Sequence, residues 1–139
     1  MAAEHNVARS NYVHIIYMDG LRKSLAGFSI EIKKEQDTDK YAFFGNADGR
    51  WPVFLEEDES KNPKQFCFSK NVMPYVKEGE ILITMESTNE GLKYIGGSSA
   101  AFIRKGTKVS YICLELNDIY GKAAKEFKVD ILSLSRAEY

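Results

Sequence analysis

Two histidines and two cysteines are the side chains of this 139-residue chain best suited to acid–base, nucleophilic or metal chemistry. Their surroundings speak against all three. His5 stands in a polar N-terminal stretch, and His14 lies between Val13 and Ile15 in an apolar run, where a structural role is expected. Neither has a Ser or Cys at a recognisable catalytic spacing, and the chain carries no nucleophile elbow and no zinc-type cluster. Gly96-Gly97-Ser98-Ser99 is glycine-rich but lacks the Gly-Lys-Ser/Thr ending of a phosphate loop, and a strand rather than a helix is expected after it. Cys67 and Cys113 sit inside the apolar runs Phe66-Cys67-Phe68 and Tyr111-Ile112-Cys113-Leu114. That setting predicts buried free thiols and leaves a disulfide open. No enzymatic activity, metal or cofactor is therefore expected. Trp51, beside Pro52, reads either as cover for the core or as an exposed aromatic anchor for a partner.

Charge narrows the partners. With 19 Lys plus Arg against 20 Asp plus Glu, the net charge is −1, so no global field draws the chain to nucleic acid or to an anionic membrane. Hydrophobic residues at 44% and charged residues at 28% exclude global disorder. No apolar segment approaches the roughly 18–20 residues of a membrane span. Met1-Ala2-Ala3-Glu4-His5 lacks the apolar core of a signal peptide, and Ala2 stands where myristoylation needs glycine. A cytoplasmic protein is expected, or one held peripherally at a membrane or cytoskeletal structure.

The elements that must position these residues read as strands almost throughout. Residues 1–10 carry no periodicity and are expected to form a flexible tail, with residues 11–139 forming one domain. Residues 12–18 are β-branched and aromatic and stop at the turn signal Asp19-Gly20. Phe28, Ile30 and Ile32 alternate with polar neighbours, the pattern of a half-buried strand. The corner Asp48-Gly49 between residues 41–44 and 50–55 predicts a hairpin, whose second arm Pro52 confines to an edge or a bulge. Residues 56–63 form a charged loop, 65–69 a short strand, and 80–86 a strong strand with Ile81, Ile83 and Met85 on one face. Runs 95–103, 108–116 and 126–134 complete the set; residues 117–125 are too short, and contain Gly121, for a stable helix beyond one turn. The expectation is an all-β, eight-stranded antiparallel β-sandwich with little or no helix.

In this order the motifs resemble a C2 domain over about residues 12–135. Met18-Asp19-Gly20-Leu21 is similar to the corner that closes the family's first strand, and Gly27-Phe28 to the aromatic opening of its second. Asn62-Pro63 before Phe66-Cys67-Phe68, Ile95-Gly96, and Leu116-Asn117-Asp118 before Gly121-Lys122 follow in the family's order. Residues 41–59 fit the pattern least.

The resemblance implies a β-sandwich binding module, and it also says where calcium ligands should stand. Those positions hold Ala26-Gly27, Glu86, Thr88 and Lys93, too few carboxylates for an ion that takes 6–8 oxygen ligands. A degenerate, calcium-independent C2-like module is the expectation, acting in protein–protein interaction or scaffolding within a cytoskeletal, ciliary or membrane-trafficking assembly. The family's lysine-rich lipid surface would correspond to Lys33, Lys34, Lys61, Lys64 and Lys70, giving an alternative as a calcium-independent tether to acidic phospholipid or phosphoinositide. Its membrane-dipping loop tips would correspond to Leu21, Leu25, Leu92 and Tyr94. A β-barrel holding a small ligand is a second alternative, encouraged by 8 Tyr, 8 Phe and 1 Trp.

Overall fold

A computed structural model of the chain describes residues 6–55, 64–90 and 94–136. The chain folds as β1 (Val7–Ser10), β2 (Val13–His14), α1 (Met18–Leu25), β3 (Ile30–Lys34), β4 (Lys40–Gly45), α2 (Phe68–Asn71), β5 (Ile81–Glu90), β6 (Tyr94–Lys105), β7 (Lys108–Glu115) and α3 (Asp118–Phe127). Single 3₁₀ turns cover Met73–Tyr75 and Ile131–Ser133. Among the described residues the strands form one seven-stranded antiparallel sheet. β4 carries β3 on one flank and β1 with β2 on the other; β5, β6 and β7 follow outward from β1. The antiparallel β character is as the sequence predicts, while the described residues form one sheet with three short helices in place of the expected eight-stranded sandwich.

Four local differences from the sequence expectation have physical causes. Val7–Ser10 lies within the segment expected as a tail, yet β1 is an inner strand between β4 and β5. It pairs without being visibly hydrophobic because Ala8 and Ser10 are small enough to bury, and the Ser10 hydroxyl accepts from the Phe43 N–H (2.8 Å). Met18–Leu25, expected as a strand end and corner, is helical: Met18, Leu21 and Leu25 share one face, with Asp19 in the first turn and Arg22 and Lys23 in the last, matching the helix dipole. The expected strand at 65–69 reduces to a lone bridge between Phe54 and Gln65 followed by α2. The expected last strand at 126–134 is instead the end of α3 and a 3₁₀ turn.

Between β1 and β2 the register slips. Arg9 opposes Phe44 but Val13 opposes Tyr41, leaving one extra residue on the β1–β2 side, a bulge. Asn11 repairs the ladder there with its side chain: Nδ2 donates to the Ile81 carbonyl (3.1 Å) and Oδ1 accepts from the Ile83 N–H (2.8 Å). At the expected Asp48-Gly49 corner both residues have positive φ (55° and 80°), and Ala47 bridges Arg50. The turn forms as predicted; its second arm stays out of the sheet, in keeping with Pro52.

The core lies on one face of the sheet. Val13, Phe43, Leu82 and Phe102 point from the strands into Leu21 and Leu25 of α1, Phe68 of α2, and Val72, Met73 and Val76 of the following turn. Ser24 and Asn71 tie the two helices reciprocally: the Ser24 hydroxyl donates to the Asn71 carbonyl (2.8 Å), and Asn71 Nδ2 donates to the Ser24 carbonyl (3.4 Å). Arg104 clamps the 3₁₀ turn onto β6 by donating to the carbonyls of Met73 (3.1 Å) and Val76 (2.7 Å). This is the covered face. The other face carries no such layer among the described residues.

Candidate functional site: the open face of the sheet

Register assigns each side chain to a face. On β5, Leu82 and Thr84 are buried in the covered face, while the alternating Ile81, Ile83 and Met85 are exposed on the other. Met85 opposes Arg9 of β1 and Ser99 of β6, and Ser99 opposes Leu114 of β7. Ile83 aligns through Ala101 with Ile112 in the same way. The open face beyond β1 is thus a plane of Val7, Ile81, Ile83, Met85, Ile112 and Leu114, all exposed. Ile112 is 74% exposed. β7 carries apolar side chains on both faces, Ile112 and Leu114 on this one and Val109, Tyr111 and Cys113 on the other, whereas the opposite side of β5 turns polar at Thr84 and Glu86 after Leu82.

Toward β3 the same face becomes charged. Lys33 Nζ lies 4.8 Å from the Phe44 ring centroid and 3.8 Å from the Glu31 carboxylate. The Arg9 guanidinium lies 4.8 Å from the Phe44 ring and 5.6 Å from that of Tyr12. These stacked cations shield Phe44 and bound the apolar plane on one side.

At the other side α3 begins over the face and makes a groove. Leu116 N–H donates to the Gly97 carbonyl (2.9 Å), and a Cβ on Gly97 would stand 3.1 Å from the Leu116 side chain, so glycine permits this approach. The groove holds about 520 Å³ between Val7, Met85, Leu114, Leu116 and Ile119, with Arg9 and Lys122 also lining it. Helix α3 is amphipathic: Ile119, Ala123 and Phe127 recur every fourth residue, Asp118 stands in its first turn and Lys125 in its last. No α3 residue is buried, and Phe127 is 71% exposed. Sequence reasoning stopped this helix short because its length cannot sustain it alone; its spacing of apolar residues was the available signal.

The residues singled out from sequence fall in several places. Leu21 and Leu25, assigned to a loop tip, are core residues of α1, fully and almost fully buried, because the segment coils into a helix whose apolar face meets the sheet. Tyr94 opens β6, its backbone paired with Glu90. His5, Lys61, Leu92, Lys93 and the acidic run 56–59 lie outside the described residues. Lys33 stands on the open face, whereas Lys70 belongs to α2 on the covered side, and Lys34 and Lys64 are exposed. The structure does not gather Lys33 and Lys70 on one surface. Trp51 is half-buried and meets Phe68 edge-on at 4.8 Å, within a chain of rings that runs through Phe66, Phe68 and Phe102 to Tyr111. Trp51 covers core.

Both cysteines are free; Cys67 is partly exposed and Cys113 exposed, so neither reaches the expected burial, and Tyr111 on the same side of β7 as Cys113 is exposed too. His14 does hold a structural place: its Nδ1 lies 2.9 Å from Glu80 Oε2 and its Nε2 3.1 Å from Asp39 Oδ1. Among the described residues, no three His, Cys, Asp or Glu side chains converge as a metal site, and no helix is long and apolar enough to cross a membrane. Glu86, at one expected ligand position, accepts from the Trp51 N–H (2.9 Å).

Compared with protein-family models, curated proteins and solved structures, the chain matches none.

Proposed function

We propose that the chain is a non-enzymatic protein-interaction module whose docking surface is the open face of β5, β6 and β7 together with α3. One observation carries this reading: a continuous plane of exposed Ile, Met, Val and Leu side chains on the open face of β1, β5 and β7. Isolated exposed hydrophobics are ordinary, whereas a contiguous sheet face of them marks a surface that is covered in the working state. A sheet buries each apolar face against another layer. In this reading the second layer of a β-sandwich is supplied from outside the chain. The likeness to degenerate C2 domains then concerns role, a β-rich scaffold for docking, and its support is the order of sequence motifs.

The test uses the chain as bait in its native extract, beside the double variant Ile83→Lys with Ile112→Lys and a control variant Lys34→Glu away from the face. Bound proteins retained by wild type and control but lost with the double variant are expected. An identical set of bound proteins for all three would defeat this reading.

A specific observation favours a second reading, small-ligand binding: the 520 Å³ groove has an apolar floor and is lined by Arg9 and Lys122 as well as by Glu86, Glu115 and Asp118. An apolar floor with a few charged groups suits an amphipathic ligand such as an acyl chain. Saturable displacement of a fluorescent fatty acid at stoichiometric ratio would support it; absence of saturation would exclude it.

A further inference from the structure

We infer that the partner on the open face is a second copy of this chain, packed face to face about a two-fold axis as an obligate-type homodimer. The inference rests on the reading of that face as a docking surface and names its occupant.

Extent points first to something larger than a small molecule: the exposed plane runs from Val7 on β1 through Ile83 and Met85 on β5 to Ile112 and Leu114 on β7. A ligand filling the groove would leave Ile81, Ile83 and Ile112 uncovered, since none of them lines it.

Composition then selects the kind of subunit. Transient partners meet through surfaces no more apolar than the rest of a protein, whereas permanent interfaces resemble a domain core cut in half. The plane of Val7, Ile81, Ile83, Met85, Ile112 and Leu114 is of the second kind. Permanent assemblies are most often two-fold homo-oligomers, in which one patch must complement itself. This patch meets that condition: its apolar centre presents no charge to its own image, and its small polar residues Ser99 and Ser110 are short enough to lie between the larger side chains.

Charge is arranged as a rim. Glu31, Lys33 and Arg9 lie on the β3–β1 side of the plane, and Asp118 and Lys122 lie at the α3 side, so both signs flank an uncharged centre. With a net charge of −1 per chain, two copies scarcely repel one another. Face-to-face packing sets the two sheets about 10 Å apart and aligned within about 30°, which lets the branched side chains of β5 and β7 interdigitate. The exposed face of α3, starting at the border of the same plane, gains cover at its edge.

Sedimentation velocity across 1–100 µM, roughly the range that separates weak from permanent dimers, tests the inference with the full chain. The expected result is a species of twice 15.8 kDa that persists at the lowest concentration. Ile83→Lys with Ile112→Lys is expected to weaken the dimer by roughly hundredfold or more, leaving a monomer. Both side chains are exposed within one chain, so the far-ultraviolet circular dichroism spectrum is expected to stay unchanged. If that double variant unfolds, the milder Ile83→Thr serves, with a smaller shift toward monomer. A wild type that is monomeric at 100 µM overturns the homodimer. Should that monomer still lose its bound proteins in the double variant, the docking reading survives with a different protein as occupant. Should it instead retain an acyl ligand by native mass spectrometry, the groove reading takes its place. If the variant alters neither self-association nor binding, both the inference and the docking reading fall.

Discussion

Leu82 and Ile83 are neighbours on β5, equal in size and nearly equal in hydrophobicity, yet Leu82 is fully buried and Ile83 is 39% exposed. Phe102, opposite Leu82 on β6, is buried with it, whereas the last strand β7 is bare on both sides, at Ile112 on the open face and at Tyr111 on the other. The two faces are alike in sequence character and unlike in what lies against them. On the covered face the chain folds its own helices back, closing them with Ser24–Asn71 and Arg104. On the open face, among the described residues, it supplies only the start of α3. Under the docking reading, hydrophobicity on this sheet specifies two layers, of which one chain provides one.

The comparison breaks most sharply by cutting each face in turn. Leu82→Ala leaves a cavity under α1 and the 3₁₀ turn, and is expected to cost about 2–5 kcal/mol at any protein concentration, measured by urea unfolding. Ile83→Ala, one residue away, is expected to change the melting temperature little in dilute protein and progressively more as concentration rises, because its partner atoms belong to another molecule. Equal, concentration-independent losses at the two positions would erase the distinction between the faces.

Next in size come two polar clamps, one on the covered face and one at the β1–β2 bulge. Arg104→Met removes the donors to the Met73 and Val76 carbonyls and is expected to cost about 2 kcal/mol, leaving the oligomeric state unchanged. Asn11→Ala loses two ladder bonds to the exposed edge of Ile81 and Ile83, where water replaces them, so the expected cost is about 1 kcal/mol. A loss at Asn11 larger than at Arg104 would mean the bulge, and not the turn, fixes how β5 joins the sheet.

How much of this was legible beforehand follows from the same two faces. The alternation at Phe28, Ile30 and Ile32 and the run 80–86 declare strands, and the structure places β3 and β5 there, because period-two patterning is local. The apolar plane was half visible: Ile81, Ile83 and Met85 were assigned to one face, but a single strand does not say whether that face is inside. Only pairing with Ile112 and Leu114, near thirty residues away, makes it a surface. β1 was missed because its burial depends on small side chains and one hydroxyl. Leu21 and Leu25 were misplaced since Asp19-Gly20 outweighed a helical spacing that tertiary packing then selected. Trp51 and His14 were better served, as each had a structural reading that its ring or carboxylate neighbours now explain.

The finest distinction between the faces is chemical and can be made on one strand. Cys113 opposes Ala100 on the covered side of β7, whereas Ile112 opposes Ala101 on the open side. If the second layer sits on the open face, Cys113 stays reachable when two chains meet, and maleimide is expected to label it at nearly the same rate in wild type and in the Lys double variant. A cysteine introduced by Ile112→Cys, with Cys113→Ser, is expected to be protected in the dimer and released on dilution below its dissociation constant. Protection of Cys113 together with free labelling at position 112 would reverse the assignment, placing the contact on the layer side of β7, where Tyr111 is also exposed. Because neighbouring residues of a strand point to opposite faces, a shift of one position carries the whole argument.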